Sequence, residues 1–142
     1  MKIKLPIFLF SLVCMSILTS CKGPSGPESN DVRALDKKPP IFPDYTGICI
    51  PVNIAPLNFE IQEAAGTYTA LFEGGQGKSF RLRARNNAFR IPADKWERLI
   101  SANRGSQIAV TVYAKTKDQW YAYAPFEMQV AKEAIDPYLV YR

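Results

Sequence analysis

Apolar and polar residues alternate along most of the chain from Ile41 onward, and the alternation predicts strands. Ile48, Ile50 and Val52 alternate with Cys49 and Pro51, and the prolines at 51 and 56 make this an edge or bulged strand. Leu57, Phe59 and Ile61 alternate with Asn58, Glu60 and Gln62. Ala64-Ala65-Gly66 turns the chain into a β-rich run from Thr67 to Glu73. The loop Gly74-Gly75-Gln76-Gly77 leads to a strand over Lys78 to Arg85. Ile108, Val110, Val112 and Ala114 share one face of a later strand. Beyond Thr116-Lys117-Asp118, Trp120, Ala122 and Ala124 share a face opposite Tyr121 and Tyr123. Pro125 interrupts that run, and Phe126, Met128 and Val130 resume it. About seven short strands with regular turn signals predict a mainly β fold, an antiparallel Ig-like β-sandwich.

Two local features add detail. Asn86-Asn87 fits a two-residue hairpin turn, because Asn tolerates positive φ. That register pairs Arg85 with Ala88, Ala84 with Phe89, Arg83 with Arg90 and Leu82 with Ile91. One inserted helix is expected at about 93–103, with Pro92 in its first turn and Gly105 as its stop. Asp94 and Glu97 suit the positive end of its dipole, and Arg98 and Arg104 the negative end. Trp96, Leu99 and Ile100 form its apolar stripe.

The first twenty residues follow another pattern. Lys2 and Lys4 precede an apolar run from Leu5 to Leu18. A run of roughly 14 residues is too short to cross a bilayer, which takes about 20. Leu18-Thr19-Ser20-Cys21 follows and resembles the lipobox of bacterial lipoproteins. The resemblance implies diacylglycerol on the Cys21 thiol, cleavage before Cys21 and acylation of the new amine. Two or three acyl chains anchor a protein firmly. Residues 1–20 are therefore expected as a signal peptide and 21–40 as a lipidated tether. Gly23 to Asn30 is too polar to bury, and Val32 to Leu35 offers at most a helical turn. Residues 41–142 are expected as the domain. In lipoproteins generally, Lys22 after the cysteine favours the outer membrane over the inner. The first acid comes only at Glu28, which favours the periplasmic face over the cell surface.

Composition narrows the chemistry. Of the three cysteines, Cys14 leaves with the signal and Cys21 is consumed by lipid. Cys49 then has no internal disulfide partner. Its place in Ile48-Cys49-Ile50 predicts a buried, inert side chain, the other reading being a reactive thiol or an intermolecular bridge. The chain has no histidine, which removes Ser-His-Asp and Cys-His nucleophile systems and histidine-based metal or haem ligation. No cofactor, metal site or catalytic residue is expected. The carboxylates are dispersed, and Gly74 to Ser79 lacks phosphate-loop spacing. The net charge of +5 includes Lys2 and Lys4, so it gives no argument for nucleic acid.

The distinctive charged feature is the predicted hairpin. Arg81, Arg83, Arg85 and Arg90 would share one face, with Arg83 opposite Arg90. Such a like-charge pair needs carboxylates from elsewhere, or a bound anion or acidic partner. A four-residue loop at 74–77 would add Tyr68 to that face, whereas a loop one residue longer or shorter sends Tyr68 into the core. Trp120, Tyr121 and Tyr123 fit either core packing or stacking on sugars.

Ile41-Phe42-Pro43-Asp44-Tyr45, the run from Ile50 to Phe59 and the closing run from Ile135 to Arg142 together carry a second resemblance. They are similar to the N-terminal region of Bacteroidota lipoproteins that continue into a TolB-like β-propeller. Some members of that family carry CxxCH and are labelled as cytochrome c biogenesis proteins. This chain has no CxxCH and stops at Arg142, so a truncated member, without haem, is expected. The expected function is a lipid-anchored, non-enzymatic interaction module. Its partners would be the membrane, through Cys21, and a protein or the missing propeller, contacted through Tyr138, Leu139 and Tyr141. The alternative is a glycan- or anion-binding module using the basic hairpin face.

Overall fold

The computed structural model describes residue 27 and residues 32–64, 66–117 and 119–136. Cys21, residues 1–20 expected as a signal peptide, and the tail residues Tyr138, Leu139 and Tyr141 lie outside the described residues. In chain order the elements are β1 (Val32–Ala34), β2 (Ile41–Phe42), β3 (Cys49–Ile50), β4 (Phe59–Ile61), β5 (Thr67–Gly74) and β6 (Phe80–Arg83). Then come β7 (Ala88–Phe89), α1 (Ala93–Ala102), β8 (Gln107–Thr116), β9 (Gln119–Ala122) and β10 (Phe126–Val130). Among the described residues they form a seven-stranded sheet, a three-stranded sheet β2-β4-β7 and a single helix, so the fold is a mainly β sandwich.

Strand β8 is the axis of the larger sheet. One edge pairs antiparallel with β5 from Thr67↔Lys115 to Gly74↔Ile108, and β6 lies beyond β5. The other edge is shared end to end: β9 pairs with Tyr113–Thr116 and β10 with Gln107–Val110. The register shifts by one residue between β9 and β10, a bulge at the Pro125 interruption. The bulge puts Phe126, Met128 and Val130 on the core face with Tyr123, and leaves Trp120 on the opposite, outer face. Outermost, β1 runs parallel to β9 and β3 parallel to β10, so the sheet is mixed at its margins.

The two layers meet at Phe59. Its ring lies 4.9 Å from Phe89 in its own sheet, and 5.9 and 6.5 Å from Phe126 and Phe72 of the larger one. Helix α1 adds the expected stripe of Trp96, Leu99 and Ile100, all buried. The indole N–H of Trp96 donates to the Ile54 carbonyl at 3.1 Å, so a large ring is buried without an unpaired donor.

Several expectations need correction. Val32–Ala34, expected within the tether as at most a helical turn, is a strand of the larger sheet. Three residues carry no periodic signal, and pairing with β9 makes them a strand. Pro27, in the run expected to bury nothing, is buried. Asn86 and Asn87 do turn the chain with φ of 48° and 64°. Arg85 and Ala88 exchange both backbone hydrogen bonds at 2.9 Å. The hairpin stops there, however, since β7 leaves to pair with β4. Burying Phe89 against Phe59 outweighs further pairing with β6, so Arg83 never faces Arg90. Tyr68 pairs with Ala114 on the core face and is 1% exposed, which removes it from the basic surface. Cys49 is exposed, because Ile50 takes the inward position of the edge strand.

Candidate cationic binding surface

Among the described residues, the outer face of the larger sheet carries a cluster of cations that form no ion pair. Across one level of the sheet, Thr67, Lys115, Trp120 and Val32 stand in register on adjacent strands. At the next level stand Arg83, Thr69, Tyr113, Ala122 and Ala34. Lys117 follows in the turn after β8, with a φ of 54°. Thr67, Thr69, Arg83, Lys115, Lys117 and Trp120, with Gly66, line a hollow of about 340 Å³. A second hollow of about 300 Å³ adjoins it across Arg83 and is bounded by the Asn86–Asn87 turn.

The geometry suits an anion. Among the described residues the ion pairs are Lys37–Glu63 and Arg98–Asp94, and neither involves Arg83, Lys115 or Lys117. An Arg83 Nη donates to the Thr67 hydroxyl at 3.5 Å, a long bond that leaves most of the guanidinium fork open. The Lys115 ammonium lies 5.7 Å from the centre of the Trp120 ring, within cation–π range. Arginine supplies directional donors for phosphate, sulfate or carboxylate, and lysine supplies compact charge.

The expected arginine cluster is thus divided. Arg81 shares the outer face with Arg83, paired with Leu71. Arg85 is exposed at the Asn86–Asn87 turn. Arg90 belongs to the smaller sheet's surface, beside a hollow of about 210 Å³ that Phe42, Asn58 and Glu60 also line. Lys115, Lys117 and Trp120 take the places assigned to Arg90 and Tyr68. Their positions carry a readable signal. Lys115 alternates against the buried Ile108, Val110, Val112 and Ala114, and so points outward. Trp120 faces Lys115 across a tight turn.

A second basic hollow, of about 560 Å³, lies at the other end of the sheet, lined by Lys78, Phe80, Lys95 and Arg98. There Arg98 is already bonded to Asp94, and Lys95 sits 5.8 Å over the Phe80 ring.

One acid is tied into the structure. Glu63 accepts from Lys37 at 2.7 Å and from the Tyr123 hydroxyl at 2.6 Å, and these bonds hold its carboxyl below its ordinary value of 4.5. Burial first, and the bond to Glu63 second, push the Tyr123 hydroxyl well above the ordinary tyrosine range. With Tyr68 and Asn87 both donating to the Glu63 carbonyl, this cluster reads as a brace between loops. Near the root of the tail, Asn53 and Ile135 exchange two hydrogen bonds of 2.9 Å. No group of three or more potential metal ligands occurs among the described residues. The chain matches no family model, no curated protein and no solved structure.

Proposed function

We propose that this chain is a lipid-anchored lipoprotein of the bacterial cell envelope whose β-sandwich is a non-catalytic binding module. The observation that carries the reading is Leu18-Thr19-Ser20-Cys21, placed directly after a short apolar run that itself follows Lys2 and Lys4. Acylation at Cys21 would fix the module to one membrane, and Lys22 and the late first acid support the periplasmic face of the outer membrane. The sandwich offers its partner an outer face of unpaired cations, and the lack of any histidine favours binding over nucleophilic catalysis. The resemblance to propeller lipoproteins adds a protein partner met through the segment that follows Ile135.

The test is the intact mass of the native protein extracted from the membranes of its own producer. The expected mass is that of a chain starting at Cys21 with acyl groups attached. An unmodified Cys21, or a chain still starting at Met1, ends the reading.

A further inference from the structure

The place where the chain enters the sandwich gives its cations an orientation. Val32 is in register with Trp120, and β1 runs parallel to β9, so the segment from Cys21 arrives at the end of the sheet that holds the β8–β9 turn. The Asn86–Asn87 turn, Gly66 and Thr67 lie at that same end. By contrast β10 runs towards the opposite end, where Gln129 pairs with Gln107. Entry and exit are therefore at opposite ends of β8, a strand of 10 residues, or about 34 Å.

We infer that the end bearing Arg83, Lys115, Lys117 and Trp120 is the face by which the domain rests on an anionic membrane surface, with lipid phosphates as the ligand. The inference rests on the anchor at Cys21. Whatever path residues 22–31 take, Val32 stays within about 40 Å of the acylated cysteine. Anchoring thus bounds the distance of this end from the headgroups more tightly than that of the opposite end of β8. Once there, unpaired Arg and Lys side chains each add attraction to anionic lipid. A half-buried Trp beside them is the residue type that settles at the headgroup level. The basic hollow around Lys78 and Lys95 has similar charge but lies at the far end, so charge alone does not select the docking face; the entry of the chain does. An acidic polysaccharide would also meet cations and an aromatic ring, but it would not require them beside the anchor.

The full acylated chain, reconstituted into vesicles of phosphatidylcholine with or without phosphatidylglycerol, tests this by lysine acetylation read peptide by peptide. Phosphatidylglycerol should slow labelling of Lys115 and Lys117 several-fold, leave Lys78 and Lys95 unchanged, and lose its effect in high salt. Arg83→Ser and Lys117→Ser should each weaken the protection about fivefold. Three results overturn the inference. One is equal labelling with and without phosphatidylglycerol. Another is protection retained when both substitutions are combined. The third is protection by added polygalacturonate on neutral vesicles and none by phosphatidylglycerol, which reassigns the surface to acidic glycan. Flotation with neutral vesicles in high salt reads the anchor separately. A chain that floats without lysine protection loses only the docking face, and a chain that does not float loses both readings.

Discussion

Gly74 and Asn103 compete for the same space: a Cβ built on Gly74 would lie 2.5 Å from Cγ of Asn103. The Asn103 side chain fills that space because it has three partners there. Its Nδ2 donates to the carbonyls of Leu99 and Gln76 at 2.8 and 2.9 Å, and its Oδ1 accepts from the Gln76 N–H at 3.0 Å. One side chain, 1% exposed, closes the C-terminal end of α1 and pins the β5–β6 loop.

Asn103→Ala should destabilise the domain by about 2–3 kcal/mol, since it strips partners from groups that stay buried. Asn103→Asp should cost more, because it aims a carboxylate at two carbonyl oxygens. Gly74→Ala should fall in the same range through steric displacement of Asn103. Urea unfolding reads all three, and a loss under about 0.5 kcal/mol for Asn103→Ala, the level of an ordinary surface substitution, would refute the role.

Phe59 is the joint between the layers, 4% exposed and in ring contact with both sheets. Phe59→Ala should cost about 3–5 kcal/mol. That is a large part of the stability available to a domain of this size, about 5–15 kcal/mol, and Phe59→Leu should be milder. The same unfolding experiment gives the ranking.

Glu63 makes stability fall with acid. Its carboxyl is held below 4.5 in the folded chain, so its contribution is fully present above that value and is lost as pH falls through the lower folded value. Glu63→Gln should flatten the acid limb of a stability–pH curve and reduce the alkaline slope only in part, because burial still raises the Tyr123 hydroxyl. The Tyr123 shift has the opposite sign. Its contribution is present below pH 10 and declines as pH rises further, so Tyr123→Phe should flatten the alkaline limb. Lys37 and Glu63 are both substantially exposed, so 1 M salt should weaken the Lys37 part of the acid effect.

Cys49, exposed on its edge strand, should react with an aromatic disulfide reagent in the folded protein. A thiol that reacts only on unfolding would restore the buried position read from Ile48-Cys49-Ile50.

Much of the fold is legible in the sequence because burial there follows a simple period. The Trp96-Leu99-Ile100 stripe and the alternation of β8 each declare a face without help from the rest of the chain. What stays hidden depends on partners far along the chain. β1 exists because β9 offers it hydrogen bonds. The departure of β7 from β6 is decided by Phe59, nearly thirty positions upstream. The bulge after β9 reverses which residues face inward, and no count of alternation across Pro125 reveals that. The cationic surface was half legible. Alternation along β6 turns Arg83 outward, but the expected pairing of Arg83 with Arg90 points away from Lys115 and Lys117.

The parallel pairing of β1 with β9 also has a mechanical meaning. A pull that separates Val32 from the Val130 end draws β1 lengthwise along its neighbour. The backbone bonds that hold it, continued by the 2.7 Å bond from the Leu35 N–H to the Ala122 carbonyl, are then loaded together and not one after another. A domain tethered at one pole and tugged from the other would meet that load in shear, the direction in which a short strand resists best.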